Sequence, residues 1–252
     1  MTPDAGIRDL ASRLAKASRI TVLTGAGVSA ASGVPTFRGP EGLWKDFRPE
    51  ELATPEAFAR SPKTVWEWYD WRRRLVAECK PNRAHEVLAL WSRRYRGFAL
   101  VTQNVDGLHE RAGTRNVVRF HGSLWEVSCW DGCREGSWPD DTVPFPALPP
   151  PCPHCGGALR PGVVWFGEAI PAAALEGAER ALDCDICLVV GTSSVVYPAA
   201  ALASEAKSRG AFTVEINPEA TSASDEVDLA LQGRAEDILD QLERVMGLEA
   251  DS

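Results

Sequence analysis

The apolar positions of this chain follow two rhythms. Ile7, Leu10, Leu14 and Ala17 recur at the spacing of one helical face and predict a helix over 7–17. Residues 20–24 form a short β-rich run that ends on Gly25, and the small residues of 28–32 follow it. Strand, glycine turn and small-residue stretch in that order are how a nucleotide-binding βα unit begins. Residues 35–49, with Gly39, Pro40 and Gly42, read as a loop. Helices are predicted from Thr54, with Pro55 in the first turn, over the tryptophan-rich 62–78, and over 85–94. Strands are predicted over 98–102 and 117–120.

Between 128 and 161 the periodicity stops. Prolines, glycines and cysteines dominate, which predicts a module held by something other than an apolar core. Regular pattern returns at 163–166. Residues 186–190 are continuously apolar, as in a buried parallel strand, and 213–216 form another strand. Helices fit at 172–181, 199–208 and 235–246. Strands alternating with helices predict a doubly wound α/β domain.

Composition narrows the function classes. A chain of 252 residues can hold one sizeable core, or a large domain with a small satellite. Lys and Arg number 27 against 35 Asp and Glu, a net charge of −8, which disfavours a general nucleic-acid binder. Arg72–Arg73–Arg74 and Arg93–Arg94 remain candidates for a local basic patch. No apolar run is long enough to span a membrane, and the first ten residues lack the layout of a signal peptide. The cytoplasm is therefore the default compartment, and seven cysteines read as thiols or metal ligands rather than disulfides.

Four of those cysteines are arranged as two pairs. Cys129 and Cys133 precede Cys152 and Cys155, with eighteen residues between the pairs. Two pairs of soft ligands on turns suit a closed tetrahedral zinc site. The second pair has common knuckle spacing, and the first has one intervening residue more than usual. His154 is the alternative fourth ligand, and four free thiols on a loop are the bland alternative. Cys184 and Cys187 match a redox spacing, but Cys187 lies inside an apolar strand, where cysteine acts as a small hydrophobe. Cys79 is read as structural.

Gly25 and Gly27 allow close backbone approach to a pyrophosphate, and a helix N-terminus after them favours the anion. The third glycine of the usual dinucleotide fingerprint is absent, and no acidic residue follows at the usual distance, so a plain dehydrogenase is disfavoured. Gln103, Asn104 and Asp106 follow one strand and His121 follows another, at the edge where α/β sheets bind ligands. Caps and turns for the first three, and a structural hydrogen-bonder for His121, are the competing readings. Phe37 and Arg38, in a loop flanked by glycine and proline, either cover a nucleotide or are a packed aromatic and a solvated arginine.

These motifs resemble one family. The residues 25–29, 33–39, 102–106, His121–Gly122, the cysteine pairs and Gly191–Thr192–Ser193, in this order, look like the sirtuins, NAD-dependent protein deacylases. The resemblance implies a Rossmann-type parallel-sheet large domain made of 1–39, 86–125 and 162–252. It implies a small domain made of a helical insertion, 40–85, and a zinc-binding module, 126–161. By the same match, Gly25, Ala26, Gly27, Ser29, Phe37 and Arg38 hold the pyrophosphate side of NAD. Gln103, Asn104 and Asp106 line its ribose and nicotinamide region. Gly191, Thr192, Ser193, Asn217 and Ala235 bind the adenosine half, and Cys129, Cys133, Cys152 and Cys155 hold Zn2+. His121 is the implied general base. In the implied reaction the acyl oxygen attacks the ribose carbon as nicotinamide leaves. His121 then takes a proton from a ribose hydroxyl, which attacks the acyl carbon. The products are free lysine, nicotinamide and O-acyl-ADP-ribose.

Tyr69 and Arg72 lie three apart in a predicted helix and share a face. Alone they read as part of an exposed basic face. The stretch from Leu52 to Arg72 resembles the sirtuin subgroup that removes succinyl, malonyl and glutaryl groups. There a Tyr-x-x-Arg pair reads the acyl carboxylate and a small residue, here Ala53, leaves room for it. Val163, Phe166 and Gly167 fall in a stretch resembling the groove where an extended acyl-lysine peptide pairs with backbone. The implied partners are acyl-lysine proteins, with no membrane and no specific nucleic acid. Three other readings stay open: a mono-ADP-ribosyltransferase on the same NAD site, a nucleotide-sensing zinc adaptor without activity, and a zinc alcohol dehydrogenase.

Overall fold

The computed structural model describes residues 3–36 and 48–250. In chain order the strands are β1 (Arg19–Thr24), β2 (Gly97–Thr102), β3 (Val117–Arg119), β4 (Gly122–Cys129), β5 (Trp138–Pro139), β6 (Leu159–Val163), β7 (Ile186–Val190), β8 (Phe212–Asn217) and β9 (Leu229–Gln232). The helices are α1 (Pro3–Leu14), α2 (Pro49–Leu52), α3 (Pro55–Arg60), α4 (Pro62–Glu78), α5 (Arg83–Arg94), α6 (Leu108–Arg111), α7 (Ala172–Ala181), α8 (Leu202–Ser208) and α9 (Ala235–Ala250).

Six strands form one sheet in the order β3-β2-β1-β7-β8-β9, with every pair parallel. From β1 the chain first builds outward through β2 and β3. It then returns to the other side of β1 and builds outward through β7, β8 and β9. The order therefore reverses between β1 and β7, and α/β sheets bind ligands at the carboxyl ends beside such a reversal. Helices cover both faces, which is why β7 is apolar throughout. Ile20, Val22, Leu188, Val190 and Ile216 pack in one cluster with α1, α5 and α9. Leu23, Val101, Cys187 and Val189 pack on the opposite face with α7 and α8.

A second sheet, β5-β4-β6, is antiparallel and carries the cysteine pairs at its end. The chain enters it through Gly122, whose φ is +76° and whose hypothetical Cβ would lie 2.3 Å from the Gly162 carbonyl oxygen. Only glycine fits that crossing. The segment after residue 128 is not without a core, as its sequence predicts. Val127, Cys129, Cys152 and Leu159 share one apolar cluster with Phe58, Val65 and Trp66 of α3 and α4. Trp66 Nε1 donates to the Leu159 carbonyl at 2.6 Å, which fixes α4 against β6.

Several boundaries differ from the sequence reading. The first helix runs over Pro3–Leu14, earlier than the apolar spacing predicts. The regular pattern that returns at 163–166 only overlaps the end of a strand, Leu159–Val163, and residues 164–166 turn into the cleft described below. The expected helix at 199–208 starts as a 3-10 turn, Ala199–Ala201, before α8. Strand β9 has no counterpart in the reading, because only Leu231 of its four residues is buried. The two arginine runs do not form a basic patch: Arg72 and Arg73 are buried, Arg74 pairs with Asp70, and Arg94 pairs with Glu243.

Candidate active site

The loop after β1 and the loop after β7 meet at the switch point. Gly25 N donates to the Val190 carbonyl and Gly27 N to the Gly191 carbonyl, at 3.1 and 2.8 Å. A Cβ on Gly27 would lie 2.8 Å from the Gly191 Cα, and one on Gly191 (φ +61°) would lie 2.5 Å from the Val28 nitrogen. These glycines are thus required first for the two loops to touch each other. The segment after them, Ala26–Ser32, is a short 3-10 helix rather than the α-helix of the usual βα unit.

The loop after β2 supplies the polar cluster. Gln103 Nε2 donates to Thr192 Oγ1 at 3.1 Å, and Asn217 Nδ2 donates to the Thr192 carbonyl at 3.0 Å. Asn104 Nδ2 donates to the Gly25 carbonyl at 3.0 Å and lies 3.3 Å from Ser29 Oγ. Ser29 and Asp106 are buried behind the cleft wall, where Ser29 Oγ donates to Asp106 Oδ2 at 2.8 Å. Burial raises the Asp106 carboxyl above its ordinary range, and hydrogen bonds from Leu108 N and Ser29 oppose that rise.

Two histidines that the sequence reading did not single out stand under this cluster. Asn82 N donates to His85 Nδ1 at 3.2 Å, within the capping box of α5, so His85 Nε2 carries the hydrogen and donates to Ser29 Oγ at 3.3 Å. His109 Nε2 lies 3.0 Å from Thr24 Oγ1, and the two imidazoles are 4.8 Å apart. Burial pushes both down to about 3, so both are neutral at physiological pH. Their only advance signal was His109 closing the polar stretch that begins at Gln103.

His121 follows β3. Its Nδ1 lies 3.3 Å from the Gln103 carbonyl, and among the described residues its Nε2 has no hydrogen bond. Burial lowers its pKa from the ordinary histidine value.

Helix α4 and the segment after β6 form the opposite wall. Trp68, Tyr69 and Arg72 line the cleft from α4, and Ala53 lines it from the end of α2. Val163, Phe166 and Gly167 line it from the other side, and Phe166 N donates to the Ala53 carbonyl at 2.9 Å. The arginine register is settled by packing. Arg72 faces the cleft, with its guanidinium 4.9 Å from the Trp68 ring. Arg73 points away, donating to the Leu124 carbonyl at 2.7 Å and to Asp140 Oδ1 at 2.9 Å. Arg74 is exposed and paired with Asp70.

These walls enclose about 840 Å³. That lies within the range of small-molecule and cofactor sites. Gly25, Ala26, Gly27, Gln103, Asn104 and His121 border it, as do Gly191, Thr192, Ser193, Asn217 and Ala235. Phe37 and Arg38 lie outside the described residues. A more open groove of about 1300 Å³ runs between β3, β4, β6 and α7, but it holds none of the polar cluster, and its Arg119 and Arg160 are paired with carboxylates.

About one small-sheet length away, Cys129, Cys133, Cys152 and Cys155 bring their Sγ atoms within 4.8 Å of one another. Cys129–Cys155 and Cys133–Cys152 are each 3.6 Å apart, and all four thiols are free. Tetrahedral zinc with Zn–S bonds of about 2.3 Å needs sulfurs about 3.8 Å apart, so the four residues fit that ion. His154 is not needed in the set.

A family model described as Sir2 family matches residues 25–198. The chain belongs to the Sir2 family. This Sir2 chain is 52% identical over 217 residues to a protein of Aquifex aeolicus named NAD-dependent protein deacylase, covering 86% of this chain and 90% of that one. Among solved structures, a Sir2 homologue mutant in complex with ADP ribose superposes with a TM-score of 0.92 at 45% identity, covering 96% of this chain and 97% of the other. A Sir2 homolog–NAD complex superposes with a TM-score of 0.89 at 46% identity, covering 97% and 95%. Among the described residues no helix is long and apolar enough to cross a membrane.

Proposed function

We propose that this Sir2 chain is an NAD-dependent protein-lysine deacylase that prefers acyl groups ending in a carboxylate: succinyl, malonyl or glutaryl. Family membership and the name of the Aquifex relative support the deacylase part. The observation that carries the acyl preference is Arg72, which lines the cleft beside Tyr69 yet is only 6% exposed. A guanidinium so poorly solvated gains from a carboxylate partner, whereas an acetyl group offers it no charge.

NAD supplies the ribose carbon that loses nicotinamide and accepts the acyl group. The protein's part is position and proton transfer. Gly25, Ala26 and Gly27 would bring backbone close to the pyrophosphate side, and Thr192, Ser193, Asn217 and Ala235 would hold the adenosine half. Asn104, braced by the Gly25 carbonyl and Ser29, would meet the ribose. Neutral His121, its Nδ1–H turned to Gln103, offers Nε2 to take the proton of a ribose hydroxyl. Val163, Phe166 and Gly167 form the mouth for the peptide, and Ala53 leaves space for the acyl chain. The thiolates of Cys129, Cys133, Cys152 and Cys155 would hold a structural zinc. In domain terms this reading pairs a Rossmann-type body, 1–39, 86–125 and 162–252, with a small domain of 40–85 and 126–161. Thiols arranged for a metal suit a reducing compartment, so the cytoplasm is the proposed location.

The test is one peptide carrying acetyl, succinyl, malonyl or glutaryl lysine, incubated with NAD, with nicotinamide and O-acyl-ADP-ribose measured by mass spectrometry. Truncating one partner of a buried charge pair typically costs about 2–5 kcal/mol, so Arg72→Met should lower succinyl hydrolysis by roughly 30-fold or more. Acetyl hydrolysis should hold or rise. ADP-ribose attached to protein instead of to the acyl group would overturn the deacylase reading. Equal losses on both acyl groups would overturn the carboxylate reading.

A further inference from the structure

We propose that Trp165 is a positioning residue for acyl-chain selection, turning the single proton of the Tyr69 hydroxyl into the cleft; this rests on the carboxylate reading above. Trp165 Nε1 lies 2.9 Å from Tyr69 Oη, 96 positions away in sequence. An indole N–H only donates, so Tyr69 is the acceptor in this bond. A phenol has one hydrogen, and with Trp165 on its oxygen that hydrogen must leave in another direction. Among the described residues the hydroxyl has no second hydrogen-bond partner, and Tyr69 lines the cleft. Burial pushes its pKa up to about 12, so the proton stays on the oxygen.

Tyr69 and Arg72 then present donors only to whatever enters. A carboxylate, which only accepts, satisfies both. A chain ending in an amide or a hydroxyl would bring a donor of its own against them. If Tyr69 were free to rotate, it could accept as well as donate, and that discrimination would weaken.

The frame behind Trp165 is built to hold it still. The ring is 2% exposed and packs 5.4 Å from Phe58. The Arg160 guanidinium stands 3.7 Å over its face. Arg160 is bound at both terminal nitrogens by Glu168, at 2.5 and 2.8 Å, and Glu168 also accepts from the Trp165 backbone N–H at 2.8 Å. The indole cannot swing without giving up its bond to Tyr69 and its contact with the Arg160 guanidinium.

The experiment compares wild type, Trp165→Phe, Tyr69→Phe and the double variant on succinyl and acetyl forms of one peptide, with melting temperature as the fold control. Trp165→Phe is expected to lower kcat/KM for succinyl-lysine by roughly 3- to 10-fold, mainly through KM, the effect of one net hydrogen bond. Acetyl-lysine hydrolysis should change by less than about 2-fold. The double variant should be no worse than Tyr69→Phe alone, since without the hydroxyl nothing is left to orient. Equal losses on both acyl groups, additive losses in the double variant, or no loss at all would each overturn the role of Trp165. Should Trp165→Phe fail to fold, an analogue of tryptophan with sulfur in place of the ring N–H keeps the shape and gives the same comparison. An Arg72→Met arm run in parallel separates the two failures. Selective loss there with an unselective Trp165→Phe removes Trp165 alone, and unselective loss in both removes the carboxylate reading together with it.

Discussion

The Nδ1 nitrogen of His121 faces the carbonyl oxygen of Gln103 at 3.3 Å, and that contact decides which ring nitrogen is basic. A carbonyl can only accept, so the hydrogen is on Nδ1 and the lone pair is on Nε2. His121→Ala should lower deacylation by about 10²–10⁴-fold. ADP-ribose affinity, measured by calorimetry, should hold. Because burial lowers the His121 pKa, the acid limb of kcat/KM should fall below pH 6.5, the ordinary histidine value. Near-normal turnover of His121→Ala would end its role as the base.

Zinc removal should cost structure as well as metal. Metal binding supplies folding energy in such modules. Cys129 and Cys152 also sit in the same apolar cluster as Trp66 and Phe58. Chelation or Cys152→Ala should therefore shift tryptophan fluorescence and lower the melting temperature. A metal-free protein with unchanged melting and activity would remove the zinc assignment.

Arg73 and Arg72 are neighbours with opposite expected phenotypes. Arg73 is 1% exposed and ties α4 to Leu124 and Asp140. Removing it strips the buried Leu124 carbonyl of its donor, which typically costs about 1–3 kcal/mol of stability. Arg73→Met should lower the urea midpoint but leave the succinyl-to-acetyl rate ratio of the folded fraction unchanged. A changed ratio would mean that Arg73 also reaches the acyl chain.

The buried histidines set an acid limit on stability. His85 and His109 titrate at about 3 in the folded protein, against 6.5 when unfolded. Between those values the unfolded chain holds more protons, so stability falls as pH falls from 6.5 toward 3 and is flat above 6.5. Each contributes a slope of up to about 1.4 kcal/mol per pH unit. His109→Gln should flatten the decline in urea-melt stability between pH 6 and 4 by roughly that amount. An unchanged slope would mean His109 is solvated.

The parts legible in the sequence are those where local pattern and burial agree. Strand β7 is buried on every residue, so its apolar run declared it. The four cysteines were legible because ligand chemistry fixes their spacing. Strand β9 was not, since three of its four residues retain solvent contact. Helical spacing placed Tyr69 and Arg72 on one face, but three successive arginines point about 100° apart, and only packing shows which one meets the cleft. Gly25 and Gly27 were legible as a close approach, but their partner in this fold is the Gly191 loop, far along the chain. His85 and the Trp165–Tyr69 bond had no local signature, because each acts through a partner distant in sequence.

Strand β4 starts at Gly122, directly after His121, and ends on Cys129. Seven steps of about 3.3 Å between its eight residues make a rod of roughly 23 Å with the imidazole at one tip and a thiolate at the other. The rod is clamped laterally by β6, with a register shift between Gly122 and Val127. A lever of this kind makes metal loss audible at a distance: slack at the sulfur end reaches the ring before the large sheet loosens. Protein stripped of metal gradually should therefore slow before it melts.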